Sequence, residues 1–305
     1  MAARLWRLVL ACELAIAAAL TAVLVAAFAL SATTAFAIAL LLSIFTPGAL
    51  LALSFLIAAF SAPSSSCVGG LDRLRALLNE GVHFNLAVLA MALSGDQLPA
   101  AAAALDAAAA QRPPRPLLLI HGIVCNRSIW RRWLQRLHAE GFAPIRAVNL
   151  EPLFADIELH ASRVEQELHA LQRESNGARV AVVAHSMGGL VARAALRSLG
   201  PDAISRIVTV AAPHHGTQIA RWFRWLPVRQ MSPDSPWLRA LNAAQEGQLA
   251  VDFTSIYSLH DNLIVPPRSA RLAGARMHEL RGLGHVGLLS SRDTIEYAMA
   301  ALAGA

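Results

Sequence analysis

The chain has 305 residues, of which 56% are hydrophobic and 15% charged, with a mean hydropathy of +0.48. That is too apolar for a wholly soluble protein and long enough for one catalytic domain plus a smaller part. All 26 basic residues are arginine and the net charge is +6, but the cations are scattered rather than gathered into a basic run, which argues against nucleic acid and fits helix faces beside an anionic membrane surface.

The apolar excess sits at the front. No charged residue occurs between Glu13 and Asp72, and two apolar blocks, about 8–30 and 36–60, fill the gap around "SATT". A helix of about 20 apolar residues crosses a bilayer core, so residues 1–62 are predicted to form two transmembrane helices. "TPG" at 46–48 is expected to kink or break the second. A cleaved signal peptide, with Arg4 and Arg7 as its basic start and "AFA" at 35–37 as its cleavage site, is the weaker reading, because its apolar stretch is too long. A lipoprotein reading of "SSSC" at 64–67 lies too far from the start. Arg4 and Arg7 before the first span and Arg73 and Arg75 after the second predict a helical hairpin with both ends in the cytoplasm. If the Pro47 segment only dips into the membrane, the rest of the chain lies on the opposite face.

Residues 63–114 divide into an amphipathic helix over Asp72–Leu93, interrupted at Gly81, and a low-complexity Ala/Pro tether. From residue 115 to 305 the pattern changes to short apolar strands alternating with amphipathic helices. "PLLLIHG", "APIRAVNL", "RVAVVAH", "ISRIVTVAAP", "DFTSIYSL" and "ARMHEL" are the strand candidates, and a helix closes the chain from about Leu288. This order predicts an α/β domain with a mostly parallel sheet covered on both faces.

In such sheets ligands bind at the carboxyl ends of the strands. Ser186, in "RVAVVAHSMGG", stands at that end of its strand and at the start of a helix. Ala184 and Gly188 permit the tight turn, and the helix start supplies N–H groups. A serine nucleophile needs a base, an acid that orients the base, and donors for an oxyanion.

"AHSMGG" resembles the nucleophile elbow of α/β-hydrolases, in the Ala-first form found in some small bacterial lipases. "LLLIHGIVCN" (117–126) resembles their oxyanion-hole loop, and "VTVAAPHHGTQIA" (208–220) and "MSPDSPWLRALN" (231–242) resemble segments of bacterial triacylglycerol lipases. The likeness covers about residues 116–300. It implies the α/β-hydrolase fold and a serine hydrolase of carboxylic esters, lipid or acyl esters among them; the apolar helices and their flanking arginines, not the likeness, add the expectation of a membrane anchor at a bacterial inner membrane, with the catalytic domain cytoplasmic or, in the alternative topology, periplasmic. Chain order then makes Ser186 the nucleophile, Asp261 the acid and His285 the base. Glycines on both sides of His285 would let its imidazole approach Ser186. Ile123 and Met187 would hold the oxyanion through backbone N–H groups. A thioesterase, amidase or acyltransferase would use the same set, and a non-catalytic membrane protein could retain the fold.

Several neighbours receive plainer readings. His185 is a packing residue, His121 hydrogen-bonds its own loop, and His260 is a solvated neighbour of Asp261. Asp234 lies too early for the acid, and His214 and His215 belong to the pocket rim. Cys12, Cys67 and Cys125 form no disulfide framework or metal site, and Cys125 has no base to activate it. No calcium site or other cofactor is expected, because no acidic residue occurs between His285 and Asp293. Trp222, Phe223, Trp225 and Leu226, among arginines, form either an ordinary buried helix or a membrane-facing lip over the substrate. Oligomeric state is open.

Overall fold

The computed structural model describes residues 1–61, 69–94, 113–245 and 249–304, with the backbone alone for 40–50 and 61. Cys67 and most of the Ala/Pro tether lie outside the described residues.

All six strand candidates form strands: β1 (Leu117–Ile120), β2 (Ile145–Ala147), β3 (Val180–His185), β4 (Ile204–Val210), β5 (Asp252–Ser258) and β6 (Arg276–Leu280). They make one parallel sheet in the order β2-β1-β3-β4-β5-β6. β1 and β3 are buried along their whole length, as continuous apolar runs require when both sheet faces are covered. The period of two divides their side chains. Leu118, Ile120 and Val182 pack under α5 (Ile157–Glu174) and α6 (Met187–Leu199). Leu117, Leu119 and Val183 face the opposite way, with Trp130 and Trp133, toward α4 (Arg131–Ala139) and α10 (Arg292–Ala303). Two shorter helices, α7 (Leu226–Gln230) and α8 (Pro236–Ala243), follow β4. The closing helix is split: α9 covers His285–Ser290 and α10 begins after Ser291. His285 therefore opens a helix rather than preceding one from Leu288.

The chain runs from β1 outward to β2 and returns to β3 on the other side of β1. The crevice between the carboxyl ends of β1 and β3 is thus the switch point where open α/β sheets bind ligands.

Among the described residues, three helices precede the sheet: α1 (Ala2–Phe28), α2 (Ala32–Ser61) and α3 (Gly70–Leu93). Two expected interruptions are absent. α2 is not broken at Pro47 and Gly48 but continues as one helix, and α3 runs through Gly81, where a side chain would meet open space. A glycine inside a helix costs about 1 kcal/mol relative to alanine, which the packing of α3 outweighs. α1 and α3 are both long and apolar enough to cross a membrane by length and composition. α3, however, buries Ala76, Glu80, Val88, Met91 and Ala92 and so serves as a packed helix of the protein interior on that face.

These helices do not hang on a tether away from the sheet. Trp6 Nε1 donates to Val124 O at 2.8 Å, and Asn126 Nδ2 donates to Met91 O at 3.0 Å. Asn262 Nδ2 donates to Ser54 Oγ at 2.8 Å. The N-terminal ammonium pairs with Glu151. α1, α2 and α3 are docked on the face that carries the loops after β1, β3 and β5.

Candidate active site

Ser186 sits between β3 and α6 with φ 54° and ψ −128°, a positive-φ conformation that non-glycine residues rarely adopt and that persists only where surroundings impose it. The surroundings are evident. Ser186 N–H donates to Val210 O at 2.9 Å, and Ser186 O accepts from Gly189 N–H at 2.9 Å. Close approach fixes the next turn: a Cβ on Gly188 would stand 2.6 Å from both Ile120 O and His121 O. This is the strained strand-to-helix turn that lifts a serine hydroxyl above a sheet.

Among the described residues, neither Ile123 N–H nor Met187 N–H has a backbone or side-chain acceptor. Both belong to the segments that flank Ser186, which leaves them free for an anion.

Asp261 lies in the loop after β5 and is buried, as is His285. Asp261 Oδ1 accepts from Leu263 N–H and Ile264 N–H, each at 2.8 Å. His285 Nδ1 lies 3.1 and 3.0 Å from the two carboxylate oxygens. Burial works to lower the His285 pKa, but the charge and hydrogen bond of Asp261, with the charge of Glu80, outweigh it, and the net direction is up. The ring is turned by Asp261 so that Nε2 is its remaining working atom. Ser186 Oγ makes no hydrogen bond to a described residue. Ser186 and His285 instead border the same cavity; in empty sites such hydrogen bonds are commonly long and tighten with substrate.

That cavity has a volume of about 400 Å³, within the range of small-molecule sites. Its walls are largely apolar. Ile123, Val124 and Cys125 contribute from the loop after β1, Val286 and Leu289 from α9, and Trp6, Phe84, Ala87 and Met91 from α1 and α3. The last four were not legible as site residues, because nothing in an apolar helix indicates which of its faces meets a cavity.

The neighbours of the site sort themselves by hydrogen bonding. His121 Nδ1 donates to Gly122 O at 2.8 Å while its Nε2 accepts from Leu150 N–H at 3.1 Å, and burial lowers its pKa to about 4. It is a neutral brace of its loop. His185 is buried with its ring centroid 4.9 Å from that of His285, and burial holds its pKa well below the usual value. His260 is not solvated: it is buried and accepts from Gly282 N–H at 3.0 Å. His214 is not at the rim either, since it is buried against Phe253 and Thr209, while His215 is exposed. Asp234 is paired with Arg221 on the surface. Burial pushes the Cys125 thiol up to about 12, so it stays protonated.

Trp222, Phe223, Trp225 and Leu226 form no buried helix. They lie where a 3₁₀ turn (Gln218–Trp222) passes into α7, and all four are exposed. Phe223 and Trp225 stack at 5.5 Å and border the cavity, and Phe154, which sequence reading missed, packs on Trp225 at 4.7 Å. Trp222 and Leu226 do not line it.

A parallel sheet with this elbow and this acid–histidine pair defines the α/β-hydrolase fold. Residues 93–228 match a family described as a domain of unknown function, DUF7379. Over 114 residues the chain is 29% identical to the triacylglycerol lipase of Pseudomonas fragi; the match covers 34% of this chain and 36% of that enzyme, about a third of its length. The mature Bacillus licheniformis lipase BlEst2 superposes with a TM-score of 0.53 at 18% identity, over 62% of this chain and 92% of that one. Aspergillus fumigatus lipase B superposes with a TM-score of 0.56 at 18% identity, over 64% and 54%.

Proposed function

We propose that the chain is a membrane-anchored serine hydrolase that cleaves carboxylic esters of lipids or other acyl compounds. One observation carries this reading: the strained Ser186 and His285, whose ring is held by Asp261, border one apolar cavity at the sheet's switch point. Ser186 Oγ attacks the acyl carbon as His285 Nε2 accepts its proton. The tetrahedral oxyanion is held by Ile123 N–H and Met187 N–H. His285 then protonates the departing alcohol, leaving an acyl-enzyme that water cleaves by the reverse proton path. Asp261 fixes the tautomer and stabilises the imidazolium. The similarity to a triacylglycerol lipase supports ester substrates, and the apolar walls suit an acyl chain.

The membrane part of the reading rests on α1 and α2. Beyond its docked first turns, α1 offers about 21 residues from Leu8 to Phe28, ~31 Å of helix and enough for a bilayer core; Leu8, Leu14, Ile16, Val23 and Phe28 are exposed. The start of α1 and the Ser54 region of α2 both meet the catalytic domain, which supports a hairpin with both ends on one side. The arginines near those ends favour the cytoplasmic side.

A fluorophosphonate probe tests the chemistry: it is expected to label the wild type and not Ser186→Ala. Labelling that survives the substitution would refute the nucleophile. A p-nitrophenyl ester series of rising chain length then reads the acyl preference.

A further inference from the structure

α3 carries an acid into the interior of the site. Glu80 is fully buried; its Oε1 accepts from Val286 N–H at 2.9 Å and its Oε2 from Gly287 N–H at 2.7 Å. Asn262 Oδ1 accepts from His285 N–H at 3.0 Å. Three successive N–H groups, beginning with that of the imidazole-bearing residue, are thus each held by a side chain, two of them by Glu80.

The loop is shaped to receive this helix. A Cβ at Gly284 would lie 2.5 Å from Glu80 Oε2, and one at Gly287 would lie 2.6 Å from Asn79 Oδ1 and 3.2 Å from Glu80 Oε2. The glycines beside His285 make room for α3, not for the approach of the imidazole to Ser186. Nor does packing alone call for an acid here. Burial pushes the Glu80 carboxyl up to about 7, against the two N–H bonds and His285, which lower it. A buried carboxyl is costly unless hydrogen-bonded, and here its bonds come from the first N–H groups of α9, which an apolar side chain would leave without an acceptor.

We infer that Glu80 is a positioning residue for His285, so that the N-terminal helical segment completes the active site rather than merely anchoring it. The inference rests on the reading of His285 as general base. By clamping the first turn of α9, Glu80 fixes where the imidazole points. The groups that face the imidazole are Asp261 from the loop after β5, His185 from β3, which is neutral, and Glu80 from α3; His83, one turn further along α3, borders the cavity.

The test uses the full chain in detergent micelles, with Glu80→Ala, Glu80→Gln and Glu80→Asp. Probe labelling, kcat and KM for a short p-nitrophenyl ester are measured from about pH 5 to 9, the span in which an imidazole base titrates. Glu80→Ala is expected to lower kcat by about 10- to 100-fold, part of what a positioned general base supplies, with KM little changed. Glu80→Gln keeps one acceptor and recovers part of kcat, but its acid limb moves to lower pH because the negative charge near His285 is gone. A Glu80→Gln profile that overlays the wild type overturns the inference, even if Glu80→Ala fails to fold. Wild type that is not labelled at all overturns the hydrolase reading, and this inference with it; labelled wild type with unaltered Glu80 variants overturns this inference alone.

Discussion

Gly188 is the position where the elbow's geometry can be tested by a single methyl group. Contacts between carbon and a carbonyl oxygen settle at about 3.3–3.6 Å, whereas an added Cβ would stand 2.6 Å from both Ile120 O and His121 O, an overlap of about 0.7 Å or more on each. Neither oxygen can yield freely, since both belong to backbone at the end of β1. α6 cannot retreat either, because a Cβ on the neighbouring Gly189 already finds Ala212 Cβ at 2.4 Å. Overpacking of this kind costs about 1–3 kcal/mol. For a domain of this size that lowers the melting midpoint by roughly 2–12 °C. The larger effect is catalytic: the displaced backbone leads directly into Ile123, and a misplacement of about 1 Å can cost 10²-fold in rate. Gly188→Ala is therefore expected to keep binding esters while kcat falls by about 10- to 100-fold, read by p-nitrophenyl ester hydrolysis beside a thermal melt. A variant with wild-type kcat would show that the carbonyls at the end of β1 do not set the oxyanion donors.

Trp225→Ala, which removes a cavity wall, should reduce long-chain ester hydrolysis more than short-chain, while Trp222→Ala should leave soluble short-chain esters untouched; equal losses on both chain lengths for Trp225→Ala would remove the lip from substrate binding. Because Asp261 and Glu80 raise the pKa of His285 and the base works unprotonated, the acid limb of kcat/KM should lie above that of a free imidazole, about 6.5. Asp261→Asn should lower kcat by up to about 10⁴-fold, as in other Ser-His-Asp sites. The same raised value makes His285 contribute stability that is full below its unfolded pKa and lost as pH rises through the folded one, which melts across that window would read. Trp133→Phe removes the Nε1–H bond to Leu289 O at 2.9 Å and should cost about 1–3 kcal/mol in chemical denaturation, since a buried carbonyl is left unpaired.

The strands, the turn at Ser186 and the contact between Asp261 and His285 were legible because each is announced by local chemistry. β3 reads as a β-branched run that must end where glycines begin, and a serine there needs an acid and a histidine in later loops, of which Asp261 and His285 are the pair that meets. The N-terminal part was legible only as composition. An apolar helix looks alike whether its face meets lipid or protein, so Trp6, Phe84 and Met91 gave no sign of lining a cavity. Glu80 did carry a signal, as the acid in the middle of an otherwise largely apolar α3, but only contact with α9 gives that acid a partner. The glycines at 284 and 287 read as freeing the imidazole to approach Ser186, whereas the side chains that come close to them are Glu80 and Asn79. What approaches lies some 200 residues earlier in the chain, and no local pattern encodes that.

The docking of the helices bears on how an ester would reach Ser186. In the proposed arrangement the hairpin leaves the catalytic domain from the face that holds the cavity, beside the exposed lip of Trp222 and Trp225. The outer side of α3 is apolar as well: Leu71, Leu74, Leu78, Val82, Leu89 and Leu93 are exposed at spacings of three, four or seven, one stripe of a helix. Leu86 belongs to that side and also borders the cavity, so the stripe and the cavity meet. Each methylene that passes from hydrocarbon into water costs about 0.8 kcal/mol. An acyl chain that slides from a bilayer past α3 and the lip never incurs that cost, whereas one arriving from solution gains it back on binding. Discrimination among lipids would then fall to the volume and shape of the cavity, and discrimination among soluble esters to partition. The same helix that sets the imidazole through Glu80 would also form the path by which the substrate arrives.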